Sequence, residues 1–116
     1  MKKSIIALIP ARKGSERIKN KNIALIGKHP LIAYAINSAL KSKIFRKIAV
    51  STDSNQYAKI ANYYGSEAIL RPKKISSSSS PDYDWVKFTI NSLSEIGENF
   101  THFCILRPTN PFRNSY

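Results

Sequence analysis

The sequence predicts an α/β fold, a mostly parallel sheet with helices on both faces, and three observations carry that expectation. Short apolar, β-branched runs alternate with segments whose apolar residues recur at helical spacing. The connections between them are short, as in successive βα units. The chain has 116 residues, of which 42% are hydrophobic, enough for one core and a single domain spanning residues 1–116.

The first run, "SIIALI" (Ser4 to Ile9), is continuously apolar, the pattern of a strand buried on both faces. A cationic loop follows. "HPLIAYAINSALKSK" then begins a helix, with Pro30 suited to the first turn. Leu31, Ala35 and Ala39, and beside them Ile32, Ile36 and Leu40, recur at four-residue steps as its apolar stripe. "KIAVS" (Lys47 to Ser51) is the second strand. Asp53 or Ser54 can cap the next helix, in which Tyr57, Ile60, Ala61 and Tyr64 share a face and which Gly65 ends. "EAIL" (Glu67 to Leu70) is a short third strand. Ser80 and Pro81 start another helix with Trp85, Thr89, Leu93 and Ile96 on one side and Gly97 as its stop. "HFCILRP" (His102 to Pro108) is the fourth strand, closed by proline. There is no internal repeat, and "SSSSS" (Ser76 to Ser80) is the one low-complexity stretch.

Charge narrows the function. Lysine and arginine number 19 against 7 acidic residues, a formal charge of +12 that calls for a polyanionic partner. Nucleic acid, an acidic membrane surface and a nucleoside triphosphate all fit that sign. Cys104 is the only cysteine, so neither an internal disulfide nor a cysteine metal cluster can form, consistent with a reducing compartment. Lys2 and Lys3 before an apolar run imitate a signal peptide. The run is short, however, and Arg12 and Lys13 stand where a cleavage site is small and neutral. No apolar stretch approaches the roughly 20 residues of a membrane span, and a cytoplasmic protein is expected.

In a sheet of this type, ligands bind at the carboxyl ends of the strands. Four segments arrive there: 11–22, 51–53, 71–80 and 107–113. Three of the four supply arginines. A merely solubilising surface has no reason to place arginines at the ends of three different strands. In the first loop Arg12 follows the strand directly, so the sheet holds its backbone while its guanidinium can fork onto phosphate oxygens. Gly14 and Ser15 permit a tight turn whose amides and hydroxyl approach the same oxygens. Arg17 and Lys21 add charge, and Asn22 offers both a donor and an acceptor. Neither G-x-x-x-x-G-K-[ST] nor G-x-G-x-x-G occurs, which argues against P-loop hydrolysis and NAD binding. His29 and His102 lack partnered acid or cysteine spacing and read as structural. Trp85, Phe88 and the tyrosines at helical spacing read as core.

"IPARKGSERIKNKNI", "VSTDS", "YGSEAILRP" and "LRPTNPFR" resemble, in order and spacing, successive blocks of the acylneuraminate cytidylyltransferase family, over essentially the whole chain. These are the CMP-sialic acid synthetases and their relatives acting on pseudaminic and legionaminic acids. The resemblance implies a Rossmann-like fold of the nucleotide-diphospho-sugar transferase type. It implies that CTP and a nine-carbon 2-keto sugar acid give the CMP-sugar and pyrophosphate, with Mg²⁺ offsetting charge on the triphosphate. Catalysis of this kind rests on positioning and charge stabilisation. Carried over, Arg12, Ser15, Lys21 and Asn22 match the nucleotide-binding loop, with Arg12 and Lys21 as catalytic candidates. Lys21 would stabilise the triphosphate as pyrophosphate leaves. Arg71 matches an arginine near the cytidine. Ser80 and Asp82 fall where relatives contact base and ribose, and Arg17 and Arg107 complete the expected CTP contacts.

The sequence also departs from the family. Glu16 and Arg17 stand where many sialic acid enzymes have lysine and glycine, Arg107 replaces a common glutamine, and Asn110 replaces serine. Members run to about twice this length, nearer the usual size of such a domain. The chain therefore reads as an N-terminal, nucleotide-binding part, with the metal-binding aspartates, most of the sugar site and a dimerising arm beyond it. No metal ligand is assigned, and a homodimer of the longer form is compatible with the resemblance. Two rivals are a CMP-ketodeoxyoctonate-type synthetase, set apart by Lys21 and Asn22, and a non-catalytic nucleotide-binding fragment. A basic nucleic-acid-binding module is a third. It would interleave aromatics with its cations, whereas none lies between Arg12 and Lys28. Neither nucleic acid nor membrane is expected as a partner.

Overall fold

A computed structural model of the protein describes residues 3–13, 25–75 and 82–108. Four strands, β1 (Ile5–Pro10), β4 (Lys47–Thr52), β5 (Glu67–Leu70) and β6 (His102–Ile105), form one sheet in the order β5-β4-β1-β6. All three pairings are parallel, with Ile9 opposite Val50, Ala7 opposite Cys104 and Val50 opposite Ala68. Helices α1 (Leu31–Ser42), α2 (Asn55–Tyr63) and α3 (Asp82–Glu95) connect them. The sheet is thus parallel with helices on both faces, as the alternating pattern predicts.

Period-two alternation along β1 divides the core. Ala7 and Ile9 join Ile32, Ile36 and Ala39 of α1 and Tyr57 and Ala61 of α2 on one face. Ile6 and Leu8 join Ala49 of β4 and Trp85 and Leu93 of α3 on the other. Ile6 through Ile9 have no exposed surface, which accounts for a run with no polar interruption. The order explains the helix placement. The chain steps outward from β1 to β4 to β5, then returns to pair β6 on the far side of β1. Crossovers of one hand must put helices of opposite progression on opposite faces.

Several boundaries differ from expectation. Ahead of α1 lies a small hairpin, β2 (Leu25–Ile26) with β3 (His29–Pro30), turning through Gly27 at φ +66°. Its two-residue strands are too short to show a period. Pro30 is the N-cap of α1 rather than its first residue, with ψ 156°. Of the two cap candidates for α2, Ser54 is the cap, its Oγ accepting the Tyr57 N–H at 3.2 Å. Gly65, at φ +100°, follows the α2 C-cap Tyr64 as expected. Ile96 lies past the end of α3 and is exposed, and Leu40 at the end of α1 is half-exposed. β6 ends at Ile105, short of Pro108. The serine run and the proposed start of α3 at Ser80 and Pro81 lie outside the described residues.

Candidate functional site

The reversal of strand order falls between β1 and β6, and in doubly wound sheets the crevice at the carboxyl edge of such a reversal is where ligands bind. Here backbone bonds extend past the strands and hold their exits together. Ala11 N–H donates to Ser51 O at 2.8 Å, Arg71 N–H to Thr52 O at 2.9 Å, and Leu106 N–H to Leu8 O at 2.9 Å. The residues that follow are therefore launched from fixed positions. Arg12 is half-buried next to fully buried Ala11, and Lys13 N–H donates to Asp53 Oδ1 at 3.0 Å, closing the β1 exit onto the β4 exit.

Arg71 is only 7% exposed. Its Nη2 donates to Ser51 O at 3.3 Å and its Nη1 to Ile75 O at 3.4 Å, the latter carbonyl presented by the short 3₁₀ turn Lys73–Ile75. Its guanidinium carbon stands 5.5 Å from the Trp85 ring centroid. Among the described residues, the Nε–H and the buried Ser51 Oγ nearby find no hydrogen-bond partner. Burial pushes the pKa of this guanidinium down, Asp53 opposes, the nearby charge of Arg12 adds to the depression, and Asp82 opposes again. The side chain remains a cation at any ordinary pH. Arg12, Asp53 and Asp82 thus lie near enough to Arg71 at the carboxyl edge of the sheet for their charges to act on it.

On the other side of the crevice, Asp82 opens α3, where the helix dipole favours a carboxylate. Its Oδ1 accepts the Trp85 Nε1–H at 2.9 Å, and its Oδ2 accepts a short bond from Arg107 Nη2. The indole hydrogen bond lowers the carboxyl pKa most; desolvation opposes it, and Arg107 and then Arg71 lower it further, which leaves it below its ordinary value. Arg107 leaves the end of β6, so this ion pair joins α3 to the strand on the far side of the reversal.

Of the sequence-predicted site residues, the structure therefore brings together Arg12, Arg71, Asp82 and Arg107. Ser15, Arg17, Lys21, Asn22 and Ser80 lie outside the described residues. Sequence reasoning missed Trp85 as part of this constellation. Its apolar spacing places it in the core, where it is indeed 98% buried, and nothing in that spacing shows where the indole N–H points. An acid three positions earlier, Asp82, was the available signal. Among the described residues no group of three His, Cys, Asp or Glu could hold a metal ion, and no helix is long and apolar enough to cross a membrane.

A doubly wound parallel sheet with arginines following β1, β5 and β6 at its carboxyl edge defines a Rossmann-type α/β protein. Residues 6–112 match the family described as Cytidylyltransferase, and the chain belongs to that family. It is 40% identical over 115 residues to the N-acylneuraminate cytidylyltransferase of Escherichia coli O18:K1:H7 (strain RS218 / NMEC), covering 99% of this chain and 26% of that one. It is 38% identical over 110 residues to the CMP-N,N'-diacetyllegionaminic acid synthase of Legionella pneumophila subsp. pneumophila (strain Philadelphia 1), covering 94% of this chain and 47% of that one. The chain thus spans from about a quarter to about half the length of these curated relatives. Among solved structures, a CMP:2-keto-3-deoxy-manno-octonic acid synthetase complexed with CTP superposes with a TM-score of 0.73 at 20% identity, over 95% of this chain and 42% of that one. That likeness supports the fold.

Proposed function

We propose that residues 1–116 are the nucleotide-binding part of a cytidylyltransferase that activates a nonulosonic acid of the sialic, legionaminic or pseudaminic type. In the reaction, the anomeric hydroxyl of the nine-carbon sugar acid attacks the α-phosphorus of CTP. The new O–P bond forms as the bond from the α-phosphorus to the bridging oxygen breaks. CMP-sugar and pyrophosphate result, and the hydroxyl proton is lost. The observation that carries this reading is Arg71 at the exit of β5, buried, bonded to carbonyls and, among the described residues, without a direct carboxylate partner, on the same edge of the sheet as Arg12 at the exit of β1. A buried cation so placed suits an anionic nucleotide better than it suits the fold alone.

In this reading Arg12 and Lys21 offset charge on the triphosphate, and Lys21 acts as pyrophosphate departs. Ser15, Arg17 and Asn22 line the same loop, Arg71 and Ser80 bound the base and ribose, and Asp82 and Arg107 close the opposite wall. Mg²⁺ accompanies CTP in the resemblance, but the described residues do not make a site for it. Both oxygens of Asp82 are engaged, and Asp53 receives the Lys13 amide. No step is assigned to the ion.

The test is a titration of CTP, ATP and GTP with Mg²⁺ against the wild-type chain and Arg12→Ala. CTP preference is expected in the wild type. The variant should bind CTP roughly tenfold or more weakly, the scale of one lost charged hydrogen bond. Equal weak binding of all three nucleotides, insensitive to Arg12, would reduce the crevice to a basic surface.

A further inference from the structure

We propose that Trp85 is a positioning residue of the crevice. Its indole N–H fixes the Asp82 carboxylate, and through it Arg107, while its ring face supports Arg71.

The geometry is specific. Trp85 is 2% exposed and lies in the core cluster that holds Ile6, Leu8 and Leu93, where close packing restricts the indole. The Nε1–H reaches Asp82 Oδ1 at 2.9 Å across a single helical turn. The other carboxylate oxygen takes Arg107. On its face the same ring meets the Arg71 guanidinium at 5.5 Å. One buried aromatic side chain therefore touches both the arginine at the end of β5 and the acid that holds the arginine at the end of β6.

A core role alone does not require this arrangement. The Arg107–Asp82 pair is about half-exposed on both sides, and such surface pairs hold long side chains poorly. An acid anchored by a buried donor is a different partner, because one end of the pair no longer moves. Arg107 gives one terminal nitrogen to Asp82, and the guanidinium has further N–H groups for a ligand anion. Among the described residues, the charged groups facing Asp82 are Arg107 from the end of β6 and Arg71 from the end of β5, both cations, so the anchored state is the ionised one.

The consequence for ligand binding rests on the nucleotide reading above, whereas the anchoring itself does not. The experiment uses Trp85→Phe and Asp82→Asn. The first keeps an aromatic ring beside Arg71 but removes the N–H together with the five-membered ring and its core volume. The second changes a half-exposed side chain and so separates loss of the anchor from loss of packing. Carboxyl-carbon NMR titration should show the Asp82 midpoint rising in W85F. The Arg107 side-chain N–H signals, distinct in the wild type, should average in both variants. Affinity for CTP should fall several-fold in each, with no further loss in the double variant. A folded W85F protein with the wild-type Asp82 midpoint and an ordered Arg107 would overturn the proposal. If W85F does not fold, an Asp82→Asn protein in which Arg107 stays ordered would do the same. A wild-type chain that ignores CTP, with the NMR changes still seen in the variants, would refute the nucleotide reading and leave the anchor standing.

Discussion

Arg71 shows how a single residue can oppose stability. Its guanidinium lies against the Trp85 ring and the carbonyls of Ser51 and Ile75, with Nε unpartnered among the described residues. Removing a charge from water costs several kcal/mol unless a partner compensates, and apolar replacement of such groups is often neutral or stabilising. Arg71→Met should therefore unfold at an unchanged or higher temperature while CTP affinity falls roughly tenfold or more. A large loss of melting temperature with unaltered CTP binding would make Arg71 structural. The position of Arg71 after "EAIL" was legible in the sequence, since it follows a strand. Its burial was not, because the cover comes from Trp85 on a helix packed against the opposite face of the sheet from α1 and α2.

At the level of elements, local chemistry explains most boundaries. α2 begins where Ser54 turns its Oγ onto the Tyr57 amide, and Thr52 Oγ1 in turn accepts the Ser54 N–H at 3.2 Å. Asp53, the other cap candidate, accepts Lys13 N–H instead. Ser54→Ala should cost about 1 kcal/mol in a denaturant titration, the usual worth of an N-cap, with an unchanged slope. A loss near zero would show that water replaces the cap. The strands β1 and β4 and the stripes of α1 and α2 were readable because burial imposes a period on residues adjacent in sequence. The β2–β3 hairpin was not, since each strand contributes only two residues and the one cue is Gly27. Ile96 was placed on the buried side of α3 because the stripe continues through it. The helix ends at Glu95, which frees Ile96 from that face.

For the molecule as a whole, ion pairs at the two ends of the sheet respond to opposite limits of pH. At the amino end Lys47 bridges Glu67 of β5 at 2.6 Å and Glu98 beyond α3 at 2.9 Å, tying the edge strand to the return crossover. Its bond to Glu67 raises its pKa most, burial opposes, and Glu98 raises it further. A raised lysine contributes stability that is whole below its ordinary 10.5 and lost as pH rises through the higher folded value. At the carboxyl end Asp82 is depressed. Its contribution is whole above 3.8 and lost as pH falls through its lower folded value. The stability difference between wild type and Lys47→Met should be about 1 kcal/mol near neutrality and, on the alkaline side, shrink above pH 10.5. A difference that already fades at neutral pH would show that the bridge is not formed in solution.

Elements and chemical type were thus written locally. Uninterrupted apolar runs demand burial on both faces, four-residue stripes demand a helix, and cations placed just after strands put positive charge at the carboxyl edge of the sheet. The blocks "IPARKGSERIKNKNI" and "LRPTNPFR" carried the family. Which partners those side chains take was settled only by packing. Asp82 and Arg107 are 25 residues apart and meet because α3 crosses back over the sheet to deliver β6 beside β1. Period and propensity act between neighbours in the chain, whereas an ion pair, a buried guanidinium and the indole that steadies both depend on distances that exist only after the sheet has closed its order.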